Sequence, residues 1–201
     1  MKEKLTVSDS KRLFHEKFPF VIPGLYKRIV DEILVELNLL NHQNEFTQEY
    51  LFCIGLTETF KELMKGYQPK KHLDLLFESL CSSTNFDAKE IKEISDESIK
   101  EFKDKSSKDI LKLLIEISNS KLYPSRILNL GIYILISNSP DLKGKKESDI
   151  NKIISDVFDQ FNLSANKAEK YIGIYKSSIS KMKQAKELIE ELRIKDKKKI
   201  K

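Results

Sequence analysis

Side chains that can bind a metal or transfer protons are present in this chain, but they follow no recognised pattern. The three histidines, His15, His42 and His72, are far apart, and none belongs to an H-E-x-x-H or comparable ligand spacing. Paired acids such as Asp31-Glu32 and Glu190-Glu191 fall on the polar faces of predicted helices, where they are solvated. We therefore expect neither a metal site nor acid–base catalysis.

Nucleophiles and phosphate-binding loops are also without a recognisable pattern. The six glycines are scattered, and no serine, cysteine or lysine lies in a known nucleophile motif. Cys53 and Cys81 are isolated, each inside a helical pattern, so we expect two buried free thiols in a reducing compartment. A catalytic triad assembled only by folding stays an open alternative. The sequence nevertheless predicts a protein that is not an enzyme and binds no cofactor.

The net charge of the chain comes entirely from its last nine residues. There are 36 Lys and Arg against 31 Asp and Glu, a formal charge of +5. Residues 193–201 hold six of those basic side chains and one of the acids, so residues 1–192 carry 30 of each. A nucleic-acid-binding domain would spread basic groups over one face of the fold. We therefore expect no nucleic acid partner for the body of the protein.

Three interpretations of this basic tail stay open. It could be a solvated terminus without a specific role. It could contact an anionic membrane surface, where each basic residue contributes about 1 kcal/mol. It could also bind RNA, a ribosome or an acidic protein, with a strong salt dependence as the signature. The candidate membrane-surface residues are Arg193, Lys195, Lys197, Lys198, Lys199 and Lys201.

The elements that must position any functional residue are all predicted to be helices. Apolar residues recur at spacings of three and four from Ile22 to Leu40, behind a proline at 23 that suits a first helical turn. The same period continues in later segments, and no segment shows the alternation of a strand. The predicted N-caps of these helices are Thr6, Thr47, Asp87, Ser106, Ser148 and Ser164. Gly66 is predicted to take the left-handed conformation that ends the helix capped by Thr47, with Pro69 shortly after it to stop continuation.

One predicted helix is apolar on nearly all sides and should lie at the centre of the bundle. It runs from Ser125 to Ser137, and Gly131 within it would let another helix approach closely. Its most apolar window, Ile127–Ile136, is too short to span a membrane. Any membrane association is therefore expected to be peripheral, and Met1–Leu5 is too short to carry a leader peptide.

The last predicted helix is unusually long. Only Gly173 interrupts residues 165–195, which at 1.5 Å per residue would extend for about 45 Å. Its apolar residues keep heptad spacing to Met182 and then shift, which predicts docking along the first half and projection along the second. Packing on the bundle is the alternative for its tyrosines. The candidate partner-binding residues are Tyr175, Ile179, Met182, Ile189 and Leu192.

The predicted fold class is all-α. We expect a single helical bundle with a long C-terminal helix that projects as a coiled-coil-like arm. Residues 1–163 would form the bundle domain, residues 164–195 the long helix and residues 196–201 the basic tail. A composition of 33% charged and 40% hydrophobic residues is typical of a soluble globular protein.

The exact residues of several segments resemble one family. The string Thr-Val-Ser-Asp-Ser-Lys-Arg at 6–12, followed by Phe18-Pro19, Ile22-Pro23, Leu25-Tyr26 and Val35-Glu36-Leu37, is similar to the thylakoid-formation family, photosystem II biogenesis factors of cyanobacteria and plastids. The likeness spans most of the chain but is loose between Phe86 and Tyr123. Its other segments are Leu51–Gly55, Met64–Pro69, Leu128–Ile134 and Ile174–Glu191.

This resemblance implies a non-catalytic role in thylakoid membrane biogenesis and photosystem II assembly and repair. It also implies physical association with an FtsH-type membrane protease, whose accumulation the family supports. The expected location is cytoplasmic, peripherally on the cytoplasmic face of the thylakoid membrane. The alternative is an RNA- or ribosome-associated helical protein that binds through its basic tail.

Overall fold

The fold consists of helices throughout the part of the chain that the structure describes. The computed structural model describes residues 4–117, 123–160 and 163–199, without the side chains of 116–117 and 192–199. The prediction of an all-α protein is confirmed. Short 3-10 turns lie at Lys70–His72 and Pro140–Leu142. The α-helices are α1 (Val7–Lys17), α2 (Gly24–Asn41), α3 (Tyr50–Leu63), α4 (Leu73–Ser82), α5 (Ala88–Phe102), α6 (Ser107–Ile117), α7 (Arg126–Ser137), α8 (Glu147–Gln160) and α9 (Ala165–Lys199).

Most predicted helix starts are where the capping residues place them. The Thr6 hydroxyl accepts from the Asp9 backbone N–H and the Asp9 carboxylate accepts from the Thr6 N–H, which makes a complete capping box for α1. Asp87 and Ser125 cap α5 and α7 through side-chain oxygens. Local hydrogen bonds within four residues are enough to fix these ends, so the sequence alone predicts them.

Two predicted boundaries of helices are wrong by a few residues. Thr47 does not cap α3: its hydroxyl donates to the Glu49 side chain at 3.0 Å, and the helix begins at Tyr50. Likewise α8 begins at Glu147 instead of after Ser148. Pro23 is the residue before α2 rather than a member of its first turn, and its carbonyl accepts the Tyr26 N–H.

The helices α3 and α7 cross at the centre of the molecule with their backbones in contact. They form the largest helix–helix contact, and a glycine from each helix lies at the crossing. A Cβ on Gly55 would collide with the carbonyl oxygen of Ile127 and lie 2.9 Å from the backbone nitrogen of Gly131. A Cβ on Gly131 would collide in turn with the carbonyl oxygen of Leu51. The close approach predicted at Gly131 is therefore confirmed.

This crossing divides the apolar core into two clusters. On one side, α3 contributes Phe52, Leu56 and Phe60 to a cluster with α1, α2, α4 and α5. On its other side, Leu51 and Ile54 join a cluster with α6, α7, α8 and α9. Because both faces of α3 are covered, nearly every residue of its first two turns is buried.

The long C-terminal helix is confirmed and packs further along the body than its heptad pattern indicates. It has 35 residues, so it extends for about 52 Å. It lies against α7 and α8 and touches α3. Lys186 lies one turn beyond Met182, the last residue with heptad spacing, and its aliphatic stem reaches Gly66 in the segment that follows α3. Its side chains that pack on the two clusters are Ala165, Ala168, Ile172, Tyr175, Ile179 and Met182.

We predict opposite effects for alanine at the crossing and alanine on the free face of α9. Gly55→Ala and Gly131→Ala should each lower the free energy of unfolding by about 3 kcal/mol or more, because a methyl group has no space between the two backbones. Gly173→Ala should raise it by about 0.5–1 kcal/mol, because nothing lies within 4 Å of the new Cβ and alanine favours a helix. Urea unfolding followed by circular dichroism measures the free energy of unfolding of all three variants. Similar values for the three would contradict the close contact of the two backbones at the crossing.

Candidate functional site

A cavity of about 1050 Å³ lies between the end of α3, the start of α2, α4 and the last third of α9. Its volume is at the upper end of the range found for small-molecule sites. Its walls combine aromatic and aliphatic side chains with a set of lysines. The residues that carry the argument below are Tyr26, Thr57, Gly66, Tyr67, Lys70 and Lys186.

Three segments that are distant in sequence meet at this cavity. Pro23, Leu25 and Tyr26 come from the start of α2, Met64–Lys70 from the turn after α3, and Lys186–Glu190 from α9. Each belongs to a block of residues that carries the family resemblance. The fold therefore brings separate recognisable motifs into one site. From the sequence alone, Gly66 and Pro69 are predicted only to end a helix.

The wall at the turn after α3 depends on a glycine. Gly66 has a φ of +103°, in the region that disfavours side chains, and the Gln68-Pro69 peptide bond that follows is cis. A Cβ on Gly66 would lie 3.2 Å from the Tyr26 hydroxyl and 3.2 Å from Cδ of Lys186. The predicted left-handed conformation is confirmed, and it allows α2, the turn and α9 to approach one another here.

Two buried hydroxyl groups in the cavity wall have no hydrogen-bond partner. Tyr67 is 1% exposed and packs edge-on against Tyr26, with ring centroids 5.2 Å apart. Its hydroxyl and that of Thr57 on α3 are unpartnered. Burial raises the pKa of the Tyr67 phenol, so it stays protonated and can donate. Unpartnered buried hydroxyls next to an open volume are available to a bound molecule.

The cavity is lined by more basic than acidic side chains. Lys61, Lys65, Lys70, Lys92 and Lys186 line it, against Asp74 and Glu190. Some of this charge is neutralised locally: Lys92 lies 2.8 Å from Asp74 and lowers the pKa of that carboxyl group. Lys61 pairs with Glu58 at 2.8 Å, and Lys65 pairs with Glu62 at 2.5 Å.

The remaining positive charge is concentrated in two lysines. Lys70 and Lys186 form no ion pair within residues 4–115, 123–160 and 163–191, where side chains are described. Both line the cavity, one in the turn after α3 and one on α9. The cavity therefore favours an anionic group.

The predicted partner-binding residues are divided between the core and the surface. Tyr175 is buried, and burial raises its pKa. Ile179 and Met182 are half-buried against the two clusters, so a partner could reach these three only by displacing part of the core. Ile189 is 44% exposed. The backbone of α9 includes Leu192, but its side chain lies outside those described.

The basic tail lies mostly outside the described side chains. The helix backbone continues through Arg193, Lys195 and Lys197–Lys199, whose side chains are not described, and Lys201 is outside the described residues altogether. Its role as a membrane contact stays a prediction.

The residues that could support catalysis are dispersed in the part of the chain that is described. No group of three or more His, Cys, Asp or Glu there could hold a metal ion. Cys53 and Cys81 are fully buried free thiols, as predicted, and burial raises the pKa of each to about 12. His72 stacks on Phe20 with ring centroids 3.9 Å apart.

A second, shallower groove of about 810 Å³ lies between α2 and the start of α7. Its polar floor is an ion pair: Glu36 Oε2 accepts from Arg126 at 2.6 Å, and Glu36 Oε1 accepts from the Ile127 backbone N–H. Because both carboxylate oxygens of Glu36 already accept hydrogen bonds from the fold itself, the groove offers less to a ligand than the cavity does. None of the helices in the described ranges is both long and apolar enough to cross a membrane.

The fold and the site define an all-helical protein whose best-formed candidate site is a binding cavity between helices. Comparison with known proteins then identifies the family. The family model for thylakoid formation protein matches residues 6–201, and the chain belongs to that family. This membership supports a role in thylakoid formation and photosystem II biogenesis.

Relatives in cyanobacteria match nearly the full chain. Protein Thf1 of Prochlorococcus marinus strain MIT 9312 is 81% identical over 199 residues, covering 99% of each chain. Protein Thf1 of Prochlorococcus marinus subsp. pastoris, strain CCMP1986, is 69% identical over 198 residues, covering 98% of each. The solved structure of Psb29 matches with a TM-score of 0.82 at 26% identity, over 97% of this chain and 98% of that one.

We predict that Gly66→Ala lowers the free energy of unfolding by more than the positive φ of Gly66 alone explains. Gly144→Ala is the matched control, because its φ is +82° and nothing lies within 4 Å of the new Cβ. Gly144→Ala should cost about 1–2 kcal/mol of unfolding free energy. Gly66→Ala should cost about 1 kcal/mol more, because the methyl group presses on Tyr26 and Lys186.

Hydrogen exchange gives a second measurement of the same effect. In Gly66→Ala, but not in Gly144→Ala, amides of residues 183–190 should exchange faster, since this part of α9 is held at the cavity through Lys186. Equal costs with unchanged exchange in α9 would show that Gly66 and Lys186 are not in contact.

Proposed function

We propose that this protein is a non-catalytic accessory factor that binds and supports an FtsH-type membrane protease during photosystem II assembly and repair. In this proposal it acts on the cytoplasmic face of the thylakoid membrane, to which it is peripherally attached. Family membership supports the setting in thylakoid biogenesis. The protease partner and the membrane face are the parts that experiments must test.

The observation that carries the proposal is an exposed apolar pair in the last third of α9. The helix backbone continues to Lys199, and Ile189 and Glu190 are the last of its described side chains that line the cavity. Leu188 and Ile189 are both exposed there. An exposed apolar pair on a helix suits a partner that accepts a helix in a groove.

The buried residues of α9 have a supporting role in this proposal. Tyr175, Ile179 and Met182 hold the helix on the two core clusters. The end of α9 is therefore presented in a fixed direction, and a partner does not have to order it on binding. Contact with the partner itself is assigned to Ile189 and Leu192, and the basic tail to the membrane surface.

We predict that Ile189→Ser weakens capture of the protease at least tenfold, while Ile174→Ser does not. Both isoleucines are in α9 and both are 44% exposed, so the two substitutions remove equal apolar surface at different places. Loss of an anchor residue at an interface typically costs more than 1 kcal/mol. The measurement is affinity capture from solubilised thylakoid membranes, with the FtsH-type protease quantified by mass spectrometry.

A shortened chain tests the contribution of residues 192–201 apart from that of Ile189. A chain that ends at Glu191 keeps every residue at the cavity and removes only residues 192–201. If it captures as much protease from detergent solution as the full chain, Ile189 suffices and Leu192 and the tail serve another purpose. Equal losses for Ile189→Ser and Ile174→Ser, or no loss for either, would contradict the contact at the end of α9.

A further inference from the structure

An exposed apolar loop lies beside the mouth of the cavity. It is the Pro19–Pro23 loop between α1 and α2, and its tip, Val21, is 91% exposed, the most exposed large apolar side chain among those described. Phe20 is 43% exposed. Leaving such side chains in water is unfavourable, because burying a valine contributes about 1.5 kcal/mol or more. The loop therefore carries apolar surface that would gain from contact with an apolar environment.

The loop is held in this position by aromatic stacking. Phe18, which precedes it, is buried in the core, and the Phe20 ring stacks on His72 at 3.9 Å. Pro19 and Pro23 at its two ends each fix one backbone dihedral angle. The Phe20 ring is therefore engaged by His72, while the Val21 side chain stays almost fully exposed.

Unpaired lysines lie next to the same loop. Lys70 and Lys71 form the turn that leads into His72, and Lys17 ends α1 two residues before the loop. All three are exposed, and none forms an ion pair within the part of the chain whose side chains are described. An apolar tip among lysines matches an anionic membrane surface, where each lysine contributes about 1 kcal/mol.

The loop and the cavity share one rim. Pro23 ends the loop and also lines the cavity, as do Lys70 from the basic turn and Lys186 from α9. Inside, the hydroxyls of Tyr67 and Thr57 lack partners. A molecule with an anionic group and an apolar body would therefore find charge at the rim, hydroxyl donors in the wall and aromatic surface beside them.

We propose that this face docks on an anionic lipid bilayer, with the Pro19–Pro23 loop resting in the interface and the cavity receiving the anionic headgroup of one lipid. A protein partner fits less well, because two exposed apolar side chains are far less than the roughly 800 Å² that each partner contributes to a standard interface. This inference is independent of the protease and assigns a membrane contact to the folded body, not to the basic tail.

The test uses the purified full-length chain and vesicles, without any protease. Vesicles of phosphatidylcholine with about one-third phosphatidylglycerol are compared with vesicles of phosphatidylcholine alone, and bound protein is measured by co-sedimentation. The full-length chain should bind the anionic vesicles and lose that binding at high salt.

Removal of the apolar tip is the first variant. Val21→Ser should weaken binding to the anionic vesicles about tenfold, since the side chain no longer gains from entering the interface. Leu39→Ser on α2 is the matched control, because Leu39 is 52% exposed and lies away from this face in the other groove. Leu39→Ser should leave binding unchanged. If Val21→Ser also leaves it unchanged, the basic tail alone holds the membrane and the proposal is overturned.

Charge removal tests the rim and the cavity separately. The double variant Lys70→Gln with Lys71→Gln should weaken binding about 25-fold, and Lys186→Gln about fivefold, as expected for about 1 kcal/mol per lysine. The control is Lys108→Gln with Lys112→Gln on α6, two exposed lysines on another helix. Equal losses in the control would show a non-specific charge effect and overturn the assignment of this face.

A soluble headgroup distinguishes a lipid from a free anion. Glycerol phosphate is added at increasing concentration, and the melting temperature of the chain is followed. Weak stabilisation that is lost in Lys186→Gln, together with vesicle binding that needs Val21, supports a headgroup in the cavity. Strong stabilisation by glycerol phosphate without any vesicle binding would identify a soluble ligand and overturn the lipid assignment. No stabilisation and no effect of Lys186→Gln on vesicle binding would remove the cavity from the proposal.

Discussion

The backbone contact between α3 and α7 is the constraint on which the rest of this structure depends. Because Gly55 and Gly131 have no side chains, the two helices approach until each carbonyl oxygen fills the space where the other helix would carry a Cβ. This fixes the position of α3, which then has an apolar cluster on each side. The remaining helices are arranged around those two clusters, so a change at the crossing would move both halves of the core.

The same crossing determines where the cavity lies. The second half of α3 and the residue after it form one wall of the cavity, through Thr57, Phe60 and Met64. The helix α9 packs along α7 until Lys186 reaches Gly66. An ion pair reinforces the arrangement, because Glu36 on α2 holds both Arg126 and the first amide of α7. Burial raises the pKa of Glu36, and the guanidinium of Arg126 opposes that shift. Such a pair specifies one arrangement of the two helices more than it adds stability.

The molecule presents two neighbouring surfaces at the cavity, and both fit the accessory role at a membrane that we propose. The Pro19–Pro23 loop and its lysines lie at one edge of the cavity, and the exposed pair Leu188 and Ile189 lies at the α9 side of it. One protein could therefore contact lipid through its body and a protein partner through its last helix. Both surfaces are held by packed elements, so neither has to become ordered on binding.

The sequence by itself determined the helices, their caps and the family. Capping boxes, the three-and-four spacing of apolar residues and the positive φ of Gly66 depend on residues within about one turn, and the local string of residues therefore contains them. The predicted starts of α3 and α8 at Thr47 and Ser148 were wrong by a few residues because several neighbouring polar residues compete to cap the same helix start.

Only the tertiary structure decided the site. Tyr67, Lys70 and Lys186 had no signal as a group, because they are separated by up to 119 positions in the chain and each is ordinary in its own segment. They meet because α9 packs over the end of α3, and that contact depends on the glycine crossing at the other end of α3. A local pattern can specify which face of a helix is apolar, but which helix covers that face is settled only when all of them pack.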